Sequence, residues 1–234
     1  MRHYAYSGAW HGRHHSMKVA VEVRRARLGG RDWRVICPTD GTANAGLWAD
    51  DHWRELHVDR RAAYRIGVLW LLAARSKHTI IYLPLRHGRR LALPEHGDGR
   101  RLDLVLSHHS LQLRASSWPR LRSALGRGLR QTAEVPAAYL PDPAGIDYAA
   151  RHHRKNRDRL REHIHGDTLF LTGSTPVFRH TADKFFDIAF GAPGAAPGEE
   201  APNHGCTQFH WAEGILSNTD GIHVRHRSRW LAAG

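Results

Sequence analysis

The sequence predicts an α/β or α+β protein in which helices pack on a mixed, mostly central β-sheet. Two observations predict this class: short apolar or alternating runs that favour strands, and runs with apolar residues at helical spacing between them. The two kinds of run interleave, but without the regular strand–helix–strand order of a wholly parallel sheet. Two β-hairpins are predicted within the sheet, at about residues 18–37 and 207–230.

The first hairpin follows from an alternating run in which Val19, Val21 and Val23 share one face. Gly29 and Gly30 come next and are typical of a tight hairpin turn, because glycine adopts the backbone angles that such a turn needs. A second alternating run then predicts the returning strand.

The centre of the chain predicts a core helix and several buried strands. Asp59 is expected to cap a helix that runs to about Arg75, because apolar residues recur through it at helical spacing. Short apolar runs, rich in β-branched residues, predict buried strands at 79–85, 102–106 and 168–171. These segments supply much of the expected core.

Three further helices are predicted, at residues 117–128, 142–164 and 182–190; a capping residue followed by proline marks the start of the first two. Residues 191–205 are rich in Gly, Ala and Pro and predict a flexible loop. An Asn-Thr-Asp-Gly sequence at 218–221 predicts the turn of the second hairpin.

Length and composition indicate one globular unit. The chain has 234 residues, of which 41% are hydrophobic and 24% charged. We expect residues 1–16 to form an irregular arm and residues 17–234 a single globular domain. The longest apolar run, at 66–74, is too short to cross a bilayer, and residues 1–16 lack the apolar core of a secretory signal. We therefore expect a cytoplasmic protein that is not bound to a membrane.

The charge balance favours a polyanionic partner. The formal net charge is +13, and only four of the 35 cationic residues are lysines. A GC-rich genome accounts for some of the arginine, but it supplies aspartate and glutamate codons as well, so the surplus of cations needs another explanation. We expect the partner to be nucleic acid, namely RNA and in particular tRNA.

One candidate RNA-binding segment is the helix predicted around residues 147–163. Its apolar stripe is thin, so packing alone would hold it poorly, and phosphate contacts would add to its stability. The alternative is an ordinary solvated surface helix. The residues that we expect to hold phosphates here are Arg151, Arg154, Lys155, Arg157 and Arg161.

A second candidate is the last predicted strand. Strand alternation places His223, Arg225, Arg227 and Arg229 on one face, spaced about 6.6 Å apart, which is close to the spacing of phosphates along a strand. The alternative is an edge strand whose charges protect it from aggregation.

Three residues are candidates for proton transfer. His109 follows the predicted strand at 102–106, and strand ends are common ligand sites in α/β proteins. His210 and Glu213 lie in a segment that also contains His204 and Cys206, but the spacing of these four matches no common zinc site. We therefore expect no metal and no cofactor, and we assign proton transfer to His109, His210 and Glu213.

These features together predict a basic cytoplasmic protein that acts on RNA or uses charged tRNA. Two reactions fit equally, namely histidine-dependent RNA cleavage and aminoacyl-tRNA-dependent acyl transfer in small-molecule biosynthesis. One alternative is a small-molecule biosynthetic enzyme with a merely basic surface, whose pocket lies at the end of strand 102–106. Another is a nucleic-acid-binding module without catalytic activity.

Overall fold

The structure is a computed structural model that describes residues 16–39, 42–50, 53–91, 99–140, 146–190, 206–217 and 221–231. The predicted N-terminal arm, apart from Ser16, and the predicted loop at 191–205 lie outside the described residues. Within the described ranges, no helix is both long enough and apolar enough to cross a bilayer.

The described strands are β1 (Ser16–Leu28), β2 (Arg31–Pro38), β3 (Ala45–Ala49), β4 (Trp53–Val58), β5 (Thr79–Leu83), β6 (Arg100–His108), β7 (Leu129–Pro136), β8 (Arg161–His165), β9 (Thr168–Gly173), β10 (Cys206–Phe209) and β11 (Gly221–His226). The described helices are α1 (Arg60–Arg75), α2 (Trp118–Ser123), α3 (Tyr148–His152), α4 (Thr175–Thr181) and α5 (Asp183–Phe190).

The strands form one mixed sheet in the order β10-β11-β4-β3-β6-β5-β2-β1-β7. Two strands lie outside this order: β9 pairs with β6, and β8 pairs with β9. The pairs β11–β4, β2–β5 and β6–β9 are parallel, and the other pairs are antiparallel. A mixed central sheet with helices packed on it confirms the predicted fold class.

The first hairpin has the predicted form. Leu28 pairs with Arg31, so Gly29 and Gly30 alone make the turn, and both have positive φ angles of 62° and 73°. Two such residues in succession suit the right-handed twist of the flanking strands. β1 also pairs with β7 along its other edge, so it lies inside the sheet.

Helix α1 is the predicted core helix. An Asp59 side-chain oxygen accepts a hydrogen bond from the Ala62 backbone N–H at 2.6 Å, and the helix ends at Arg75. Gly67 lies where α5 packs against α1: a Cβ at this position would be 2.9 Å from Cζ of Phe186. Glycine is therefore required here for close approach of the two helices, despite its poor helix propensity.

Hydrophobic side chains pack on both faces of the sheet. The larger core lies between the sheet and α1, α4 and α5, with Trp70 of α1 among its largest buried side chains. A smaller core lies against α2, where Trp118 and Leu121 pack with side chains such as Val105 and Phe170. Helix α2 is shorter than the predicted helix at 117–128.

The helix predicted at 142–164 is wrong. α3 ends at His152, residues 161–165 form strand β8 instead, and the predicted start at 142 lies outside the described residues. An Asn156 side-chain amide donates to the Arg151 carbonyl oxygen at 2.8 Å, which satisfies a helix-end group locally. As a helix, this segment would bury little apolar surface, because its apolar stripe is thin. As strand β8, residues 161–165 form an antiparallel ladder with β9, joined to it by a turn at Gly166.

The second hairpin forms with shorter strands than predicted. β10 and β11 are antiparallel, but a short 3₁₀ turn at Trp211–Glu213 intervenes between them. β11 ends at His226, so Arg227 and Arg229 lie beyond the strand. Strands β3, β4, β7 and β8 were not predicted.

Candidate nucleic-acid interface

The three residues predicted to transfer protons do not form one site. His210 follows β10, and its Nδ1 accepts a hydrogen bond from the Ala212 backbone N–H at 3.1 Å. Glu213 lies nearby and pairs through Oε2 with Nζ of Lys184 at 3.0 Å. His109 follows β6, which is four strands from β10 in the sheet order, or about 19 Å at a strand spacing of about 4.8 Å.

The segment around Cys206, with its four zinc-ligand residue types, is only partly described by the structure. His204 lies outside the described residues. Cys206 is exposed, and its Sγ lies 3.8 Å from Nδ1 of His223. Across the part of the chain that the structure describes, no three His, Cys, Asp or Glu side chains are grouped so that they would hold a metal ion.

The cations predicted on β11 are bonded to side chains of the adjacent strand β4. Nη2 of Arg225 lies 3.0 Å from Oε1 of Glu55, and Nε of Arg227 donates to Nδ1 of His57 at 3.1 Å. Nε2 of His57 lies 3.1 Å from Oε2 of Glu55, and His57 is fully buried. Because an arginine only donates, Nδ1 of His57 is an acceptor and Nε2 carries the proton.

This bonding changes the interpretation of the predicted row of cations. Arg225 and Arg227 already stabilise a carboxylate and a buried histidine, so part of their charge and hydrogen bonding is used within the fold. His223 contacts the exposed Trp53 ring edge-on, at 4.7 Å between centroids. Arg229 is exposed beyond the strand, and strand alternation does not determine its direction.

The other predicted cations lie on a short helix, a loop and the start of a strand. Arg151 belongs to α3 and lies over the ring of Tyr148, 4.7 Å from its centroid. Four of the five remain exposed, as a phosphate-binding role requires: Arg154, Lys155, Arg157 and Arg161.

A basic cleft that the sequence did not predict lies between the β1–β2 hairpin and the end of α1. The cleft is open and has a volume of about 540 Å³. We define the basic cleft by its charged lining residues, which are Arg25, Arg34, Arg75, Lys77, His78 and the single acid Asp32. Trp33 also lines it.

The strand register explains how arginines reach this cleft. Val23 pairs with Ile36 in the larger core, and the next pair on the same face is Arg25 with Arg34. The hairpin therefore extends past the end of the core, and two like charges lie directly opposite each other. Such a pair is unfavourable in a sheet unless a counter-charge lies nearby.

Further exposed arginines lie along the same hairpin. Nη1 of Arg31 donates to the Leu111 carbonyl oxygen at 3.0 Å, and the Gly126 N–H donates to the Arg25 carbonyl oxygen at 3.1 Å. Residues 111–126 therefore lie along the hairpin. The segment 114–130 contains five arginines and no acid, and four of the five are exposed: Arg114, Arg120, Arg127 and Arg130.

Histidines lie at the edge of the basic cleft. The rings of His108 and His109 are 4.4 Å apart between centroids. Nδ1 of His108 accepts from the Ser110 backbone N–H at 3.2 Å and lies 2.8 Å from Ser110 Oγ. Burial lowers the pKa of His108, and the nearby charges of His109, Lys77 and His78 lower it further, so this imidazole is neutral at neutral pH.

We expect His108 to make folding sensitive to acid. Because its pKa is lowered in the folded state, the unfolded chain binds the extra proton as the pH falls below about 6.5. Between about pH 7.5 and about pH 5.5, the free energy of unfolding of the wild type should fall more than that of His108→Asn. The difference in slope would be at most about 1.4 kcal/mol per pH unit, measured by urea unfolding.

The comparison with His108→Asn isolates this histidine, because asparagine keeps an acceptor for the Ser110 N–H and does not titrate. Burial raises the pKa of Asp183, which contributes a slope of the opposite sign to both proteins. Parallel curves for the two proteins would contradict the prediction.

Comparisons with protein families, with characterised proteins and with solved structures find no match to this chain. The function is therefore inferred from the geometry and charge of the chain itself.

Proposed function

We propose that this protein binds RNA, with the sugar–phosphate backbone lying in the basic cleft. One observation carries the proposal: among the described residues, four permanent cations and one histidine line the cleft, against a single acid. These side chains come from two strands, a helix end and a turn, so the cluster is made by the fold and not by a run of like residues in the sequence.

Electrostatics supports the proposal. The paired Arg25 and Arg34 repel each other in the free protein, and a phosphate between them would replace repulsion with two attractions. Each phosphate that is neutralised also releases condensed counterions, which supplies most of the free energy of non-specific binding.

An aromatic residue with a guanidinium stacked on it favours a single strand over a duplex. Trp33 belongs to the lining, its ring packs with the smaller core on the face of β2 opposite Arg34, and the exposed Arg31 guanidinium lies 4.4 Å from the ring centroid. Unpaired bases stack on aromatic rings and on guanidinium planes, whereas the bases of a duplex are already stacked.

The simpler interpretation of these cations is that they complement a helix dipole. Arg75 is in the last turn of α1 and Lys77 follows it, so both have that role. Arg25 and Arg34 belong to strands and have no helix end of their own to complement. A helix dipole therefore accounts for Arg75 and Lys77 but not for Arg25 and Arg34, which an anionic ligand would complement.

The test is a salt titration of RNA binding. A labelled single strand of about 12 nucleotides is titrated with protein and followed by fluorescence anisotropy, at salt from about 50 to about 200 mM. Four phosphate contacts at about −0.7 each predict a slope of roughly −3 in log affinity against log salt. A slope near zero would contradict RNA binding. Equal affinity for heparin would show that any polyanion suffices and would contradict a role for the bases.

A further inference from the structure

Two histidines lie just beyond the end of the β5–β6 pairing, at the edge of the basic cleft. β5 and β6 are antiparallel, and their register pairs Ile80 with Ser107. Just beyond this last pair, His78 lies in the turn before β5 and His109 begins a 3₁₀ turn after β6. Both histidines are exposed, and His78 also lines the cleft.

A side-chain contact shows that the two chain segments stay together beyond the ladder. Ser110 Oγ lies 3.4 Å from the Lys77 carbonyl oxygen. His78 and His109 both lie close enough to His108 for their charges to lower its pKa, so the two imidazoles are near each other and within reach of one phosphodiester group.

The neighbours of this pair suit a role in proton transfer. The ring of His108, held through Nδ1 by Ser110, lies against His109 and limits where that ring can move. The ammonium of Lys77 lines the same cleft and adds a positive charge beside the pair.

We propose that His78 and His109 cleave the RNA strand that the basic cleft holds, by attack of a ribose 2′-hydroxyl on the adjacent phosphorus. This inference rests on the proposed RNA binding. His210 and Glu213 are weaker candidates for this reaction, since Glu213 is paired with Lys184 and neither residue lines the basic cleft.

The reaction needs only two imidazoles in opposite protonation states. One imidazole takes the proton of the 2′-hydroxyl as the 2′-oxygen forms a bond to phosphorus. The bond from phosphorus to the 5′-oxygen breaks, and the other imidazole, as its imidazolium, gives its proton to that oxygen. The products are a 2′,3′-cyclic phosphate and a 5′-hydroxyl, so no water, metal ion or redox partner is consumed. Lys77 stabilises the charge that develops on the phosphate oxygens.

The experiment separates binding from cleavage by using two strands of the same sequence. A strand of deoxyribose nucleotides, which lacks the attacking hydroxyl, reports binding alone. The RNA strand, incubated with the full-length protein in EDTA, reports cleavage. We expect products that end in a cyclic phosphate, and a rate that falls roughly 10²- to 10⁴-fold in His78→Ala and in His109→Ala.

Both substitutions are at exposed positions, and the matched control is His163→Ala, an exposed histidine on β8. We expect the control to cleave like the wild type and all the variants to bind the deoxyribose strand. Binding without cleavage would overturn the inference and leave the proposed RNA binding intact. Equal cleavage by wild type and both variants would also overturn it, since that activity would belong to a contaminant. Failure to bind either strand would overturn both proposals.

Discussion

Replacing both Arg25 and Arg34 with glutamate will weaken RNA binding on the order of 100-fold at about 50 mM salt and will flatten its salt dependence. The two arginines lie opposite each other in the basic cleft, so both would contact the same stretch of backbone. Each lost contact should make the slope of log affinity against log salt less negative by about 0.7, or about 1.4 for the pair. The measurement is the same anisotropy titration with the single strand.

The matched control is the double variant Arg60→Glu and Arg61→Glu. Both arginines are exposed in the first turn of α1, and the 16-residue helix sets them about 24 Å from the cleft, at about 1.5 Å per residue. Each double variant lowers the formal net charge of +13 by four, to +9. An equal loss of affinity in both would mean that binding depends on total charge and not on the cleft.

Trp70→Ala will lower the free energy of unfolding by about 3–5 kcal/mol. Trp70 is 1% exposed and packs against the rings of Phe178, Phe185 and Phe209, which come from three other elements. Its indole N–H also donates to Thr181 Oγ1 at 2.9 Å. The substitution removes a large buried side chain that joins α1 to α4, α5 and β10, and urea unfolding followed by circular dichroism measures the cost.

Trp211→Ala is the control for this substitution, because Trp211 is 51% exposed and buries much less apolar surface. We expect it to change the free energy of unfolding by roughly 1 kcal/mol or less. If the two substitutions lower the free energy of unfolding equally, the aromatic cluster around Trp70 is not the centre of the larger core.

The parts of the fold that were predicted correctly have local causes. Asp59 and the apolar spacing after it define α1, and Gly29 with Gly30 defines the first hairpin. The buried strands β5, β6 and β9 are short apolar runs whose character does not depend on their partners. Each of these signals lies within a few residues of the element that it specifies.

The missed strands depend on partners that are distant in the chain. In β4, Leu56 and Val58 face the larger core. Glu55 lies on the other face of the strand, where it pairs with Arg225 of the adjacent strand β11. The sequence of such a polar strand shows no clear strand pattern, because only the packed sheet determines which face is buried. β8 has the same difficulty, since His163 is exposed and Glu162 is buried in an ion pair with Arg54.

Only part of the basic cleft could be predicted from the sequence. Once a two-residue turn is assigned to Gly29 and Gly30, the register pairs Arg25 with Arg34 and places them on the face of Val23. That step required only the hairpin prediction. The arrival of Arg75 and Lys77 at the same place depends on how α1 lies across the sheet, which no local pattern specifies.

The parallel pairing of β11 with β4 affects how the chain reaches its native state. His57 and Arg227, which are bonded near the end of this pairing, are 170 residues apart in the chain. The β1–β2 hairpin closes through a two-residue turn and can form within about 1–10 μs, whereas joining β11 to β4 closes a very long loop at a large entropic cost. Until that step, β4 has an unpaired backbone edge. We therefore expect the half-folded chain, and not the native protein, to be the species that aggregates.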